Sequence, residues 1–344
     1  MTVCVLERVE REERTLAFTL RSLPFRKGHA MKYALRRTAA LLATMLIVSF
    51  LTFAAFALIS GDTATAKLGT SATPERLAAL RAELGLDRPL LVRYGEWLLG
   101  FFTGDLGVSS SYSQPVWDIL APKAGLTLCL SLMSFALIVV VSIPLGVWSA
   151  GQRRGEGPRT ALNQLCMAVP PFFTGILLSW VFGVGLKWFM PGQFPDAKKD
   201  LGGAAVYLFF AAVALSVPRI AMTVRMLRST VQEELGKDYV RTAISRGNDR
   251  GQVLRRHVLK NALPPVVTFL AQTMAEIVAG SIVVEQVFVI PGLGQMLVTS
   301  INNRDYPVVQ AVVVILAFWV VLAGTAADLI NRRIDPRLRL GGAA

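Results

Sequence analysis

The sequence predicts an all-α membrane protein with six transmembrane helices. Of its 344 residues 53% are hydrophobic, and the mean hydropathy is +0.51. Several apolar runs reach the length of roughly 20 residues that a helix needs to cross the hydrocarbon. The Lys and Arg residues lie almost entirely between these runs. The net charge of +13 therefore indicates a membrane protein with one positive side rather than a nucleic-acid-binding protein.

Six apolar runs divide the chain. They cover approximately Thr38–Ile59, Gly125–Ser149, Leu162–Leu186, Leu201–Met222, Leu263–Val287 and Val308–Leu329. Prolines at 170, 171 and 218 fall within these runs, where neighbouring helices can accommodate them. The predicted domains are a first transmembrane helix (31–60), an extracytoplasmic segment (61–123), a transmembrane domain (124–332) containing a long cytoplasmic loop (225–262), and a cytoplasmic tail (333–344).

Residues 1–30 precede the first span and differ from it in composition. Glu and Arg are mixed there without an apolar core, which excludes a secretory signal peptide. Met31 begins a stretch that leads directly into the first apolar run. The extension is either a disordered cytoplasmic tail or an upstream start that the cell does not use, and the sequence favours neither.

The extracytoplasmic segment predicts two amphipathic helices. In the first, Pro74–Leu84, leucines recur at helical spacing between charged residues. The second, Leu90–Phe102, is apolar but contains Arg93 and Glu96. These charges favour a helix at the membrane surface over a further span.

The distribution of Lys and Arg predicts the orientation. The N-terminal tail, the loops after the second and fourth spans, and the C-terminal tail hold 25 of these residues, whereas the alternate segments hold 10. Lys and Arg concentrate on the cytoplasmic side of a membrane. Both termini and the loop 225–262 are therefore predicted to be cytoplasmic, in a multi-pass membrane protein.

The loop 225–262 combines positive charge with a distinctive pattern. It contains Asp238-Tyr-Val-Arg-Thr-Ala-Ile-Ser-Arg-Gly247 and later Asn261-Ala-Leu-Pro-Pro265. Charge alone would suit a solvated basic loop. The small Ala243, followed four residues later by a glycine that can end a helical turn at positive φ, instead favours a short docking helix.

This spacing resembles the EAA coupling loop of ABC-importer permeases, which a separate ATPase grips. Further segments resemble the B-type permeases of the dipeptide, oligopeptide and nickel branch of that family. In chain order they are Leu84-Gly-Leu-Asp-Arg-Pro89, Gly104-Asp-Leu-Gly107, Pro170-Pro171-Phe172, Asp238-Tyr-Val-Arg-Thr-Ala243, Asn261-Ala-Leu-Pro264, Pro291-Gly-Leu-Gly294, Arg304-Asp-Tyr-Pro307 and Asp335-Pro-Arg337. The resemblance covers about residues 31–340, and the order of these segments makes it specific.

The resemblance implies a type I ABC-importer permease fold and ATP-driven import of short peptides by alternating access. The residues that it assigns to ATPase coupling are Tyr239, Arg241, Thr242, Ala243 and Gly247. In two places the chain departs from the broad family pattern. Arg241 stands where that pattern has Glu, and the closing proline, Pro264, comes late. Both departures are typical of the peptide branch.

The implied partners are a second, non-identical permease subunit, two ATP-binding subunits, an extracytoplasmic substrate-binding protein and membrane lipid, without nucleic acid. The chain lacks the G-x-x-x-x-G-K-[ST] loop. ATP and Mg are therefore expected on the ATPase subunits, and this chain is expected to have no cofactor, metal site or catalytic residue of its own.

Ionisable residues at membrane depth are candidates for function. Glu285 is predicted either to face the translocation path or its gate, or to cap the outer surface. Pro171 and Gly280 are further candidates for the path. Glu276 is expected to pair with a residue of the partner subunit.

Enzymatic functions are disfavoured by the residue inventory. The two histidines, His29 and His257, are far apart, and no H-E-x-x-H, G-x-S-x-G or cysteine-ligand spacing occurs. Two alternatives to a peptide permease stay open. One is the same fold importing nickel or another small solute. The other is a secondary transporter or channel, for which an internal inverted repeat is expected and none is visible.

Overall fold

The computed structural model describes residues 27–59, 73–83, 87–152 and 155–334. All regular structure in these ranges is helical, apart from one isolated antiparallel bridge between Val108 and Pro115. The prediction of an all-α fold is therefore confirmed. Most of the N-terminal extension and the last ten residues lie outside the described residues, as does part of the first predicted extracytoplasmic segment.

Twelve helices are described, and several are much longer than a membrane crossing requires. They are α1 (Lys27–Ile59), α2 (Pro74–Glu83), α3 (Leu90–Thr103), α4 (Val116–Gly151), α5 (Glu156–Ala168), α6 (Pro171–Leu178), α7 (Leu201–Leu235), α8 (Asp238–Ser245), α9 (Arg250–Val253), α10 (Leu259–Phe288), α11 (Leu293–Asn302) and α12 (Tyr306–Ile334). Helix α6 continues in a π-helical stretch, Ser179–Gly185. A second such stretch, Leu254–Val258, joins α9 to α10.

Five of the described helical segments are long and apolar enough to cross a membrane, and a sixth crossing requires α5 and α6 together. The prediction of one continuous third helix over 162–186 is wrong, because these two helices meet at 97°. Val169 and Pro170 both have extended backbone between them. The cause is local, since a residue that precedes proline avoids the α region, and two prolines follow in succession here.

Helix α7 continues well beyond the apolar run that predicted it. The run ends near Met222, but the helix ends at Leu235, immediately before Gly236. Pro218 lies inside without interrupting it. A hydropathy pattern shows where the chain leaves the hydrocarbon, whereas a helix continues until its sequence stops it. Helix α7 therefore extends the membrane bundle toward the predicted cytoplasmic loop.

Helix α7 is also the centre of the bundle and packs against α4, α5, α6 and α10. Small residues allow close approach on its sides. A Cβ added to Gly146 of α4 would lie 2.7 Å from Leu227 Cδ2, and one on Gly280 of α10 would lie 3.2 Å from Leu215 Cδ1. At the C-terminal end of α10, the Tyr207 hydroxyl of α7 donates to the carbonyl of Phe288.

The chain divides into two compact units, Met1–Thr44 and Met45–Ala344. The described part of the first unit belongs to α1, where Thr44 Oγ1 donates to the Ala40 carbonyl. Within the second unit, the remainder of α1 packs against α3. Ser49 and Tyr94 share a hydrogen bond of 2.8 Å there, and the Tyr94 ring packs edge-on against Phe50. The sequence predicted helices at the positions of both α2 and α3.

Candidate functional site

The short helix predicted in the loop 225–262 is present as α8, Asp238–Ser245, and its docking role stays a prediction. It is held between the ends of two membrane-spanning segments. Val240 and Ala243, three residues apart, form its buried face and are 4% and 9% exposed. They belong to the same apolar core as Val231 of α7 and Val258, just before α10. Because both neighbours belong to spanning helical segments, a displacement of α8 acts on both segments at once.

Polar contacts fix the start of α8 to the end of α7. The Tyr239 hydroxyl donates to Glu234 Oε2 at 2.8 Å, and the Lys237 ammonium donates to the other oxygen of the same carboxylate. Burial raises the pKa of the Tyr239 phenol above its usual value. The phenol therefore stays protonated at neutral pH and acts as a donor to Glu234.

The end of α8 is closed by a left-handed glycine. Gly247 has φ +84°, and its N–H donates to the Ile244 carbonyl at 2.9 Å. The side chain of Asn248 donates to the Ala243 carbonyl at 3.0 Å. No atom lies within 4 Å of a Cβ placed on Gly247. Backbone conformation, rather than lack of space, therefore accounts for glycine here.

The outward face of α8 is mostly polar and continues to Gly247; its exposed residues are Asp238, Arg241, Thr242, Ile244 and Ser245. Tyr239 is half-buried and Ala243 is buried. The structure thus brings the five predicted coupling residues together on one short element and divides them between two faces. The Ala243 side chain packs against its own chain, and the coupling role of these residues stays a prediction. Its small size permits that close packing.

A second polar arrangement surrounds Glu285, near the end of α10. Its side chain is fully buried. Oε1 accepts from Thr127 Oγ1 of α4 at 2.7 Å, and Oε2 accepts from the N–H groups of Gly294 and Gln295 at 2.7 and 3.2 Å. Thr127 Oγ1 accepts in turn from the N–H of Leu293 at 2.8 Å. The carboxylate therefore caps the first turn of α11, whose N–H groups have no partner within that helix.

The Pro291-Gly-Leu-Gly294 stretch surrounds this carboxylate closely. A Cβ on Gly292 would lie 2.5 Å from the carboxyl carbon of Glu285, and one on Gly294 would lie 2.5 Å from Ile282 Cα. Both glycines are therefore required for the chain to pass so near α10. The role of Glu285 in the path or gate stays a prediction, but the structure places its carboxylate inside the protein.

A second buried carboxylate, Asp305, holds the loop before α4 against the start of α12. It accepts hydrogen bonds from the Ser109 hydroxyl and from the N–H groups of Ser110 and Ser111, at 3.1 and 3.2 Å. Neither this role of Asp305 nor the role of Thr127 was predicted from the sequence. The partners of both residues are distant in sequence. The only sequence feature that hinted at such contacts is an acidic residue together with a short serine-rich or glycine-rich stretch.

The other candidates for the translocation path are not brought together. Pro171 is the first residue of α6, at the break in the third span, and Gly280 lies where α10 approaches Leu215 of α7. Their role in the path stays a prediction. Glu276 does not need a partner subunit for its ion pair, because it pairs with Arg219 of the same chain.

No group of three or more His, Cys, Asp or Glu side chains is placed to hold a metal ion within the described ranges. The described residues thus form a short helix anchored to the ends of two long helices, together with loops that carboxylates tie to the ends of other helices.

Comparison with known proteins gives two family matches that together cover most of the chain. Residues 142–340 match the family described as the binding-protein-dependent transport system inner membrane component, and residues 30–131 match the N-terminal domain of such membrane components. The first match alone exceeds half of the chain and contains α8 and both of its neighbouring spans.

Curated relatives are similar over nearly their whole length. A putative peptide transport system permease protein of Brucella abortus is 38% identical over 308 residues, which are 89% of this chain and 98% of the relative. The dipeptide transport system permease protein DppB of Escherichia coli is 33% identical over 337 residues, covering 90% and 99%. A probable peptide ABC transporter permease protein of Sinorhizobium fredii is 33% identical over 309 residues, covering 89% and 99%.

Among solved structures, an inward-facing form of the MetNI methionine ABC transporter contains a chain with a similar fold. The TM-score is 0.52 at 22% sequence identity, and the match covers 63% of this chain and 96% of that chain. At this identity the similarity concerns the fold alone. It agrees with the type I importer permease fold that the resemblance in sequence implies.

Proposed function

Since this chain belongs to the inner-membrane components of binding-protein-dependent transport systems, we propose that it is one permease subunit of an ATP-driven importer of short peptides. Its function is translocation, and separate subunits hydrolyse ATP. The family and the helical bundle support the permease role. The names of the relatives support the peptide substrate.

The position of α8 is the observation that supports the coupling mechanism. This helix presents an exposed polar face while its buried face joins the core formed by α7 and α10. An ATPase subunit that binds the exposed face can therefore transmit its closure to two spans. Closure of the ATPase pair on ATP moves α8, and the linked helices alternate between inward-open and outward-open arrangements.

The outer loops support docking of a binding protein that delivers the substrate. Asp305 and Glu285 fix the loop before α4 and the start of α11 to the helix ends. A fixed surface loses less conformational freedom on binding than a mobile one, so it binds a partner more tightly for the same contact area. We propose that the substrate-binding protein docks on this rigid outer surface. A second, non-identical permease subunit completes the membrane-spanning part of the transporter.

Substitution of Gly247 tests this function. Gly247→Arg places a long cation on the exposed side of α8, and we expect it to reduce co-purification of the ATP-binding subunits at least tenfold and to abolish uptake. Gly247→Asn is the matched control, because Asn tolerates the left-handed conformation and adds no charge. Wild-type co-purification and uptake in both variants would contradict the assignment of α8.

A further inference from the structure

An ion pair connects α7 and α10 inside their membrane spans. The Arg219 guanidinium contacts the Glu276 carboxylate, and the two side chains are 29% and 52% exposed. With a rise of 1.5 Å per residue, Arg219 lies about 27 Å along α7 from Leu201 and about 9 Å before Arg225. Glu276 lies near the middle of the fifth predicted span, about 20 Å along its helix from Leu263, whereas Arg219 lies about 4.5 Å before Met222, where the fourth predicted span ends. The Glu276 carboxylate is therefore at membrane depth, and Arg219 reaches it from the last turn of the neighbouring span.

Exposure at this depth determines what can surround the pair. Charged side chains facing lipid cost several kcal/mol, and in membrane proteins they face the bundle interior or a water-filled cavity. A half-exposed Arg–Glu pair therefore faces a polar space or another protein surface. The Arg219 Nη1 also lies 3.9 Å from Met222 Sδ.

The exposed side of α10 is polar for two turns next to this pair. Gln272 and Glu276 are four residues apart and both exposed, so they lie on one helix face. The half-buried Thr268, one turn earlier, extends the same face, although its hydroxyl donates to the Pro264 carbonyl. Within the part of the chain that the structure describes, the Gln272 amide makes no hydrogen bond. A lipid-facing surface would leave that amide unsatisfied.

The pair also has unused hydrogen-bonding capacity. A guanidinium has five N–H donors, and a carboxylate has two acceptor oxygens. Among the described residues, Arg219 Nη1 and Glu276 Oε2 make the contact between them, and Arg219 Nη1 also faces Met222 Sδ. The remaining groups and the Gln272 amide are open to a ligand that carries both charges.

We propose that Arg219, Glu276 and Gln272 form a binding station in the translocation path of this subunit, for the charged ends of a zwitterionic peptide. The guanidinium receives the peptide carboxylate, the Glu276 carboxylate receives the peptide ammonium group, and the Gln272 amide bonds the backbone between them. The inference rests on the proposed function. It adds a substrate contact that is distinct from Glu285, whose carboxylate is enclosed by protein groups.

The position of this station connects it to α8. Arg219 and Glu276 lie on the two spanning segments whose ends hold the docking helix. A movement of α8 that changes the separation of these segments therefore changes the distance between the two charges. Binding and release of a peptide at this point follow the ATPase cycle directly.

Thiol labelling of the assembled transporter tests the location. Gln272→Cys, in a background without other cysteines, should react with a membrane-impermeant thiosulfonate in at least one of two states, nucleotide-free or ADP–vanadate-trapped. Val140→Cys is the matched control, because Val140 lies within the span of α4 and is 68% exposed but has an apolar environment. No reaction at position 272 in either state would overturn the proposal and place the pair in a dry subunit interface.

The charge of the reagent tests the ion pair itself. At Gln272→Cys, an added Glu276→Gln should increase the rate ratio of the anionic to the cationic reagent several-fold, and Arg219→Gln should decrease it several-fold. Unchanged rate ratios in both variants would show that the charges of Arg219 and Glu276 do not influence a reagent at position 272, and this result would contradict the proposal. This readout needs no transport, so it remains informative if the proposed function fails.

Uptake completes the test. In proteoliposomes containing all subunits and loaded binding protein, Glu276→Gln should reduce uptake of dialanine at least tenfold with normal assembly. The control Glu96→Gln changes an exposed Arg–Glu pair in α3 and should leave uptake unchanged. Equal uptake in both variants would overturn the station alone. Absence of ATP-dependent dialanine uptake by the wild type would instead contradict the peptide substrate.

Discussion

Glu285 accepts hydrogen bonds from the Thr127 hydroxyl and from two N–H groups of α11. Glu276, nine residues earlier on the same helix, is half-exposed and pairs with Arg219. The two carboxylates have the same chemistry and different surroundings. Removal of Glu285 therefore leaves buried donors unsatisfied, whereas removal of Glu276 leaves a cation that solvent or a ligand can reach.

Glu285→Ala should destabilise the protein by roughly 3 kcal/mol, because three donors then lose their acceptor in a buried site. The midpoint of thermal unfolding in detergent, followed by size-exclusion chromatography, should fall by several degrees. Thr127→Val, which removes one member of the network, should have a smaller effect in the same direction. Glu96→Ala is the control, because Glu96 is an exposed carboxylate. Equal melting midpoints for Glu285→Ala and Glu96→Ala would contradict the capping of α11 by Glu285.

The sequence identified Glu285 as unusual and could not identify its partners. Thr127 is separated from it by 158 residues, and local periodicity contains no information on such a contact. For Ala243 the sequence predicted the short helix, and the structure adds that its side chain lies in the core of its own chain. A period of about 3.6 residues shows which residues share a helix face, but not whether that face meets its own chain or a partner.

At the scale of helices, composition predicted the spans and local backbone chemistry modified them. The break between α5 and α6 follows from two successive prolines, which the sequence analysis treated as tolerable inside a span. The extension of α7 follows from the absence of a stop before Gly236. Both features depend on the backbone preferences of single residues, which a mean hydropathy over 20 residues does not show.

The contact between α4 and α7 gives a prediction at this scale. Gly146→Ala should destabilise the bundle by about 1–3 kcal/mol, because the new Cβ meets Leu227 at 2.7 Å in a packed interface. Thermal unfolding in detergent measures the change. The double variant with Leu227→Ala should recover part of the loss, because it relieves the collision even though it leaves a cavity.

Gly125 is the control on the same helix, since no atom lies within 4 Å of a Cβ placed there. Gly125→Ala should be neutral or slightly stabilising, because alanine favours the helix. If both glycine variants melt at the same temperature, close packing of α4 on α7 does not limit the stability of the bundle.

At the scale of the whole molecule, the orientation rests on the distribution of positive charge. Cysteines introduced by Ser111→Cys and Asn302→Cys should react with a membrane-impermeant reagent in cells whose outer envelope has been opened, and Ser245→Cys should be protected. Reaction at position 245 under these conditions would invert the topology and remove α8 from the reach of an ATPase.

The N-terminal extension gives a second prediction for the whole chain. Deletion of residues 1–30 should leave membrane insertion and uptake intact, because the spans and α8 all follow it. Membrane fractions and uptake, compared at equal expression, measure the effect. Loss of assembly in the truncated protein would show that the extension is a functional part of the subunit.

The most direct test of the central claim is a cross-link at Thr242, on the exposed face of α8. A photoreactive amino acid at this position, in the complete transporter, should cross-link to an ATP-binding subunit and thereby block uptake. The same probe at Val140 should give no such product. If position 242 forms no cross-link to an ATP-binding subunit in a transporter that still imports its substrate, α8 is not the element that couples this subunit to ATP.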